Sequence, residues 1–188
     1  MNHQVFEVKA KSIVPMLFNC LTPEALDPAN KPARGKADEH ERNNWRKKMH
    51  VQDGRVAIPG EYIEKMLVES SGRMAEKIPG RGNQTYTSLF KAAVFVEDQF
   101  VLTDVEAEKV EPFIKPVGGQ GAKKGAGKVL RYRPLIPKWE ATFTVHVVNE
   151  LITADVFTRV LEYGGKFVGL GDWRPKFGRV EFTATSKK

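Results

Sequence analysis

The segment Gly164-Gly165-Lys166-Phe167-Val168-Gly169-Leu170-Gly171-Asp172-Trp173-Arg174-Pro175-Lys176-Phe177-Gly178-Arg179-Val180-Glu181-Phe182 decides how this chain is read. A helix-like run enters it and an alternating strand leaves it. Five glycines fall between positions 164 and 178, with aromatics and cations among them. Glycine at that density suits a backbone that turns sharply or lies close to a ligand, more than a packed core. Two readings stand side by side. One is an ornate turn before a last strand. The other is a loop that presents backbone N–H groups, Trp173 and cations to a polyanion.

Working outward, Thr153 is a helix N-cap for residues 154–163, with Asp155 in the first turn and Val156, Phe157, Val160 and Leu161 on one face. Gly164 then takes the place of the glycine that ends a helix. On the far side, Val180, Phe182 and Ala184 alternate with Glu181 and Thr183, a strand over 179–185. Trp139, Ala141, Phe143, Val145 and Val147 alternate with Glu140, Thr142, Thr144 and His146, the clearest strand in the chain, which leaves His146 as a surface residue. Phe6, Val8 and Ala10 alternate with Glu7, Lys9 and Lys11 in a first strand over 4–18, where Pro15 calls for a bulge or an edge. Arg55 to Ile58 is a short strand. Pro59-Gly60 then opens a helix over 61–77 whose buried face carries Tyr62, Ile63, Met66, Leu67, Ser70 and Met74. The helix entry leaves N–H groups near Gly60 as an anion site. Residues 86–92 make one or two helical turns, and 93–103 reads as strand.

The element order is βαββαβ. It predicts an α+β, ferredoxin-like (RRM-like) core with two helices on one face of the sheet, in a single domain of 188 residues. Insertions at about 20–58 and 104–138 would form a helical lobe and a flexible basic loop or hairpin. The lobe holds a polar helix over 38–49, with Asp38 as N-cap and Trp45 as its one large anchor. Its cations Arg42, Arg46 and Lys47 are either a basic face or simply solvated. Residues 116–128 are glycine- and lysine-rich, include Lys123 and Lys124, and hold too little apolar area to order themselves. Arg131 and Arg133 then flank Tyr132, a pattern suited to phosphate contact plus base stacking.

Lys and Arg number 30 against 23 Asp and Glu, a net charge of +7, which favours a polyanionic partner. Cys20 is the single cysteine, so no internal disulfide framework exists. The amino terminus lacks a basic, apolar signal pattern, and no apolar run reaches a membrane span. These features predict a cytoplasmic protein of a bacterial cell, encoded by the host or by a phage. HExxH, CxxC and P-loop motifs are absent, and four scattered histidines show no ligand spacing, so no metal or cofactor is expected.

Two motifs carry a family resemblance. The first is Ala57-Ile58-Pro59-Gly60-Glu61-Tyr62-Ile63-Glu64-Lys65-Met66, an Ile-Pro-Gly turn opening the first helix. The second is Gly169-Leu170-Gly171, then Arg174, then Phe177-Gly178-Arg179-Val180-Glu181-Phe182. The pair, with the element order, resembles the RAMP superfamily, the RNA-binding proteins of CRISPR effector complexes, and their repeated backbone subunits most of all. The family helix usually follows Pro-Gly with small polar residues, a second glycine and an arginine, where Glu61-Tyr62 and Glu64-Lys65 stand here. The Gly-Leu-Gly-Asp-Trp-Arg-Pro segment is also similar to short phage and prophage proteins. The resemblance implies a ferredoxin-like core with inserted lobes, contacts to the RNA backbone and a protruding hairpin inserted between bases.

The expected function is coating of single-stranded nucleic acid, RNA ahead of DNA, by self-associating subunits of a CRISPR-like or phage nucleoprotein complex. The expected contacts are Arg42, Arg46, Lys47, Gly60, Lys123, Lys124, Arg131, Arg133, Gly169, Gly171, Trp173, Arg174, Lys176 and Arg179. No catalytic residue is assigned and no enzyme is expected. Two alternatives remain open. One is a protein-binding module of phage origin, a mimic of a CRISPR subunit or an assembly factor. The other is a metal-independent ribonuclease, since RNA-processing members of the resembled family use a histidine base, for which His3, His40, His50 and His146 are the candidates.

Overall fold

The computed structural model describes residues 3–21, 27–33, 35–117 and 128–187. The first strand, β1 (Gln4–Ser12), shows why the chain folds as it does. Phe6, Val8 and Ala10 are buried, while Lys9 and Lys11 on the opposite face meet solvent. β1 lies in the middle of a large antiparallel sheet. It pairs on one side with β10 (Val180–Lys187) and on the other with β9 (Glu140–Val147). Val8 stands opposite Ala184 and Phe143, and Ala10 opposite Phe182 and Ala141, so the apolar residues of three strands share one face.

That face is covered by α2 (Gly60–Met74) and α4 (Ala154–Tyr163). Ile63, Met66 and Leu67 come from α2, and Val156, Phe157, Val160 and Leu161 from α4. Phe157 stacks on Phe6 with ring centroids 4.6 Å apart. Each such side chain, fully buried, stabilises the fold by about 1.5–3 kcal/mol. Thr153 caps α4 as the sequence indicates, its side chain accepting from the Val156 amide.

The remaining elements, in chain order, are β2 (Met16–Leu17), α1 (Ala37–Asn44), β3 (His50–Gln52), β4 (Arg55–Pro59), α3 (Thr87–Ala93), β5 (Val94–Val96), β6 (Phe100–Glu106), β7 (Glu111–Val117) and β8 (Val129–Ile136). The large sheet has the order β10-β1-β9-β6-β4-β3, and β5 also pairs with β9. Counting β5 and β6 as one broken strand, the four core strands stand last, first, third, second. With two helices on one face this is an α+β fold consistent with the ferredoxin-like expectation. A second sheet, β2-β8-β7, stands apart from it. No helix among the described residues is long and apolar enough to cross a membrane.

Several expectations need correction. The strand read over 4–18 is two strands in two sheets. β1 ends at Ser12, and Met16–Leu17 pairs with Leu135 and Ile136 of β8. Pro15, which has no N–H to donate, lies in the crossing between them. The strand read over 93–103 is broken between Val96 and Phe100, where the Gln99 carbonyl accepts from the Gly60 amide and ties the break to the start of α2. The polar helix ends at Asn44 and continues as a 3-10 turn over Trp45–Lys48. Lys36, not Asp38, stands at its N-cap. Of the stretches read as insertions, β3, β4 and the end of β6 extend the large sheet.

Gly164 does not end α4. It stays right-handed helical, and the chain continues in a wider π-type turn over Gly164–Val168, closed by the Gly169 amide donating to the Gly164 carbonyl. Gly165 lies where this turn presses on β10, and a Cβ there would run into the Val180 carbonyl and the Phe182 ring. Gly165→Ala is expected to cost about 1–3 kcal/mol of stability by overpacking. Thermal denaturation of the two proteins checks it, and an unchanged midpoint contradicts the packing role.

Candidate functional site

The glycine-rich segment is a folded plug, not an open loop. The Leu170 amide donates to the Gly178 carbonyl, the Gly178 amide to the Pro15 carbonyl, the Phe177 amide to the Trp173 carbonyl and the Asp172 amide to the Leu17 carbonyl. With the Gly169 bond already described, five of the loop's amides are engaged inside the protein. This corrects the expectation of a loop offering its N–H groups to a polyanion. Gly171, at φ 79°, lies against Leu17 so closely that a Cβ would meet the Leu17 carbonyl and the Met16 side chain. The glycine here lets two backbones touch, which fixes the loop beside β2.

The small sheet closes over this plug. Phe113 is paired with Arg133, and Lys115 with Arg131, so these four side chains share one face of the β7–β8 hairpin. The Arg133 Nε donates to Asp172 Oδ2 at 2.6 Å, with only 12% of the arginine side chain and 27% of the aspartate exposed. The Arg133 guanidinium also lies 4.3 Å from the Trp173 ring centroid, and the Lys115 ammonium lies 4.7 Å from it. Phe113 and Phe177 pack against the same ring. Trp173 is therefore a half-buried clasp, with two cations and two aromatics already on it. Arg133 Nη1 is buried without a hydrogen-bond partner among the described residues.

Helix α1 docks on the other edge of β8, and its acids explain how. Asp38 Oδ1 accepts from the Leu130 amide at 2.8 Å, and Glu41 Oε2 from the Tyr132 amide at 3.2 Å. Two acids one helical turn apart thus satisfy alternate amides of a strand edge that no other strand among the described residues covers. Glu41 also binds Lys48 at 2.5 Å and Arg131 at 2.6 Å. Burial alone would raise the Glu41 carboxyl above its ordinary value, but the bonds from Lys48, Arg131 and the Tyr132 amide outweigh it and hold the group low.

Between these parts runs a groove made of two joined clefts. The larger, about 570 Å³, is walled by α1 and its 3-10 extension, through His40, Asn44, Lys47 and Lys48, and by Arg131 and Arg133 of β8. The smaller, about 230 Å³, lies between the plug and α2, with Phe18 and Leu170 beneath, Tyr62 and Lys65 on one side, and Gly171, Asp172 and Arg174 on the other. Asn19 and Cys20 line both and form the saddle between them. The Cys20 thiol meets the Tyr62 hydroxyl at 3.5 Å. Burial comes first, then their contact with each other, in keeping Tyr62 above its ordinary value; burial likewise pushes up the Cys20 thiol. Both groups are neutral.

The expected contacts divide accordingly. Lys47, Arg131, Arg133, Gly171 and Arg174 line the groove. Lys47 has no hydrogen bond or ion pair among the described residues, whereas Arg174 donates to the Gly169 carbonyl and pairs at 3.4 Å with Glu69. Arg42 reaches the Tyr132 hydroxyl, and Arg46 is spent on the Ala107 and Glu108 carbonyls while lying over Trp45. Lys176 and Arg179 are exposed outside the clefts. Lys123 and Lys124 lie outside the described residues. Gly60 belongs to a separate cleft with Glu61, Glu64 and Asp98, its amide is taken by Gln99, and this acidic surround is unsuited to an anion. Of the histidines, His40 lines the larger cleft and His50 the acidic one. His146 is half-buried on the open sheet face, stacked between His3 and Phe95 at 5.0 and 4.9 Å.

Sequence reasoning missed Asn19, Cys20, Tyr62, Lys65 and Asp172. Tyr62 follows the period of the buried face of α2 and was hidden by it. The available signal was the Glu61-Tyr62 and Glu64-Lys65 departure from the resembled helix start.

No protein-family model matches the sequence, and no curated protein matches it. Solved structures do resemble it in fold. A chain of the type IV-B CRISPR complex superposes with a TM-score of 0.51 at 12% identity, over 96% of this chain and 90% of that one. A chain of the type III-B Cmr-beta structure bound to cognate target RNA gives 0.49 at 12% identity over 99% of this chain, which spans 61% of the length of that one. Cmr6 from Pyrococcus furiosus gives 0.48 at 11% identity, over 96% and 99% of the two chains. This chain thus resembles a chain of the type IV-B CRISPR complex in fold.

The Glu41 cluster sets a pH dependence. A carboxyl held low in the folded state adds stability above its ordinary value of 4.5, and that stability is lost as pH falls through the lower folded value. Glu41→Gln is expected to cost about 1–3 kcal/mol at neutral pH. The gap to the native protein should narrow as pH drops below 4.5. Thermal melts across this range check it; a gap that stays constant contradicts the role assigned to Glu41.

Proposed function

We propose that this protein binds single-stranded RNA in the groove over Asn19 and Cys20, as one subunit of a larger ribonucleoprotein assembly. The observation that carries the reading is the groove itself. Lys47, Lys48, Arg131 and Arg133 line its larger part and Lys65 and Arg174 its smaller part, in a chain of net charge +7. Cations on both sides of a trough suit a phosphate backbone running along it. Clefts this narrow admit one strand with its bases splayed, not a duplex. The fold likeness to a chain of the type IV-B CRISPR complex supports the place in a larger assembly. In this reading Arg133 and Trp173 shape the groove, and Lys47, Arg131 and Arg174 meet phosphates.

Fluorescence anisotropy with a short labelled single-stranded RNA, across a range of salt, tests the proposal. Binding should weaken with salt, with a log–log slope of about −0.7 for each phosphate neutralised. Lys47→Ala should weaken binding to all sequences alike and make that slope shallower by about 0.7. Duplex RNA should compete poorly. Absence of binding at low salt, or a Lys47→Ala variant that binds as the native protein does, contradicts it.

A further inference from the structure

The smaller cleft has a chemistry of its own, unlike the cationic trough beside it. Its floor is apolar, from Phe18 and Leu170, and the half-buried ring of Tyr62 forms a wall. Two polar groups face this lining with capacity to spare. Asn19 is exposed and its carboxamide makes no hydrogen bond among the described residues. Asp172 uses Oδ2 for Arg133, and its Oδ1 has no partner among the described residues. The bond to Arg133 also fixes the carboxylate in place, so the free oxygen is held rather than mobile. At about 230 Å³ the cleft falls below the ~300–1,000 Å³ of pockets for drug-sized ligands. A single nucleobase is small enough for it.

We propose that this cleft is a base-reading pocket that takes one unstacked nucleobase of the bound strand and prefers a base with an exocyclic amino group over uracil. The proposal rests on the RNA-binding reading above. A base entering over the Asn19–Cys20 saddle would lie on the Tyr62 ring, with Lys65 and Arg174 at the rim near the flanking phosphates. The free Asp172 oxygen is an acceptor only. Adenine, cytosine and guanine each offer it an amino N–H. Uracil offers a single N–H flanked by two carbonyl oxygens, which a carboxylate repels. Asn19 both donates and accepts, so it matches the acceptor that stands beside the amino group on each of the three amino bases, or a second donor of guanine. Tyr62 is neutral, which keeps its face available for stacking without adding charge.

Equilibrium binding of the whole protein to a short oligouridine, and to the same oligonucleotide with one central uridine replaced by adenosine, cytidine or guanosine, tests the pocket. At least one replacement should bind about fivefold or more tightly than oligouridine. Asn19→Ala and Tyr62→Leu should abolish that preference, read as the ratio of affinities for the replaced oligonucleotide and for oligouridine, and Tyr62→Phe, which keeps the ring, should retain it. Far-UV circular dichroism and a thermal melt report that each variant is folded. Equal affinity for all four oligonucleotides, or a preference that survives both Asn19→Ala and Tyr62→Leu, overturns the pocket and leaves RNA binding standing. Failure to bind any of the oligonucleotides overturns the RNA-binding reading, and the pocket with it.

Discussion

One ion pair, Arg133 with Asp172, fixes how the two halves of the molecule face each other. Arg133 belongs to the small sheet and Asp172 to the plug that joins the π-type turn to the last strand of the large sheet. The pair is mostly buried, and one guanidinium nitrogen gains no hydrogen bond, which costs about 1–3 kcal/mol. Ion pairs in such surroundings add little net stability, because desolvation offsets their attraction. What this one supplies is geometry. It sets Arg133 in the wall of the larger cleft and Asp172 in the wall of the smaller, and the Trp173 ring lies against the guanidinium. The groove has its two-part shape because this bond holds the hairpin down on the plug.

A second constraint works from the opposite edge of β8. Hairpins that stand away from a main sheet leave strand edges with unpaired amides. Here β2 covers only Leu135 and Ile136, and the carboxylates of α1 take over further along the strand. The helical lobe and the hairpin are one structural unit for this reason, although Glu41 and Tyr132 are 91 residues apart in sequence. Lys48 and Arg131 then balance the Glu41 charge, and the cations that do so also line the groove. Structural pairing and ligand attraction draw on the same side chains, so few of the basic residues are free for a ligand alone.

The large sheet and its helices were legible in the sequence because their signals are local and periodic. Phe6, Val8 and Ala10, or Phe143, Val145 and Val147, alternate at period two, and Thr153 announces α4 by its own side chain. The small sheet was not legible. Two residues of β2 carry no period, and the separation of Met16 from β1 depends on where Ile136 lies. The glycine-rich segment left two readings open, an ornate turn before the last strand and a loop offering its N–H groups to a polyanion, and the engaged amides fit the turn. Composition shows that glycines permit contact, but whether the contact is a ligand or Leu17 depends on tertiary position. Asp38 reads in sequence as a helix N-cap, and Glu41 carries no signal beyond its charge. Their true partners are amides of a strand that no local pattern could have named.

The fold resembles that of a chain of the type IV-B CRISPR complex, at 12% sequence identity. A binding function must then be read from this chain's own groove. Hydrogen–deuterium exchange of the protein alone and with saturating single-stranded RNA tests that assignment most directly. Exchange should slow in residues 17–21, 44–48, 129–133 and 169–174, which build the groove. Slowing confined to the open face of the large sheet, at residues 9–11, 142–146 and 181–185, with none along the groove, would contradict it.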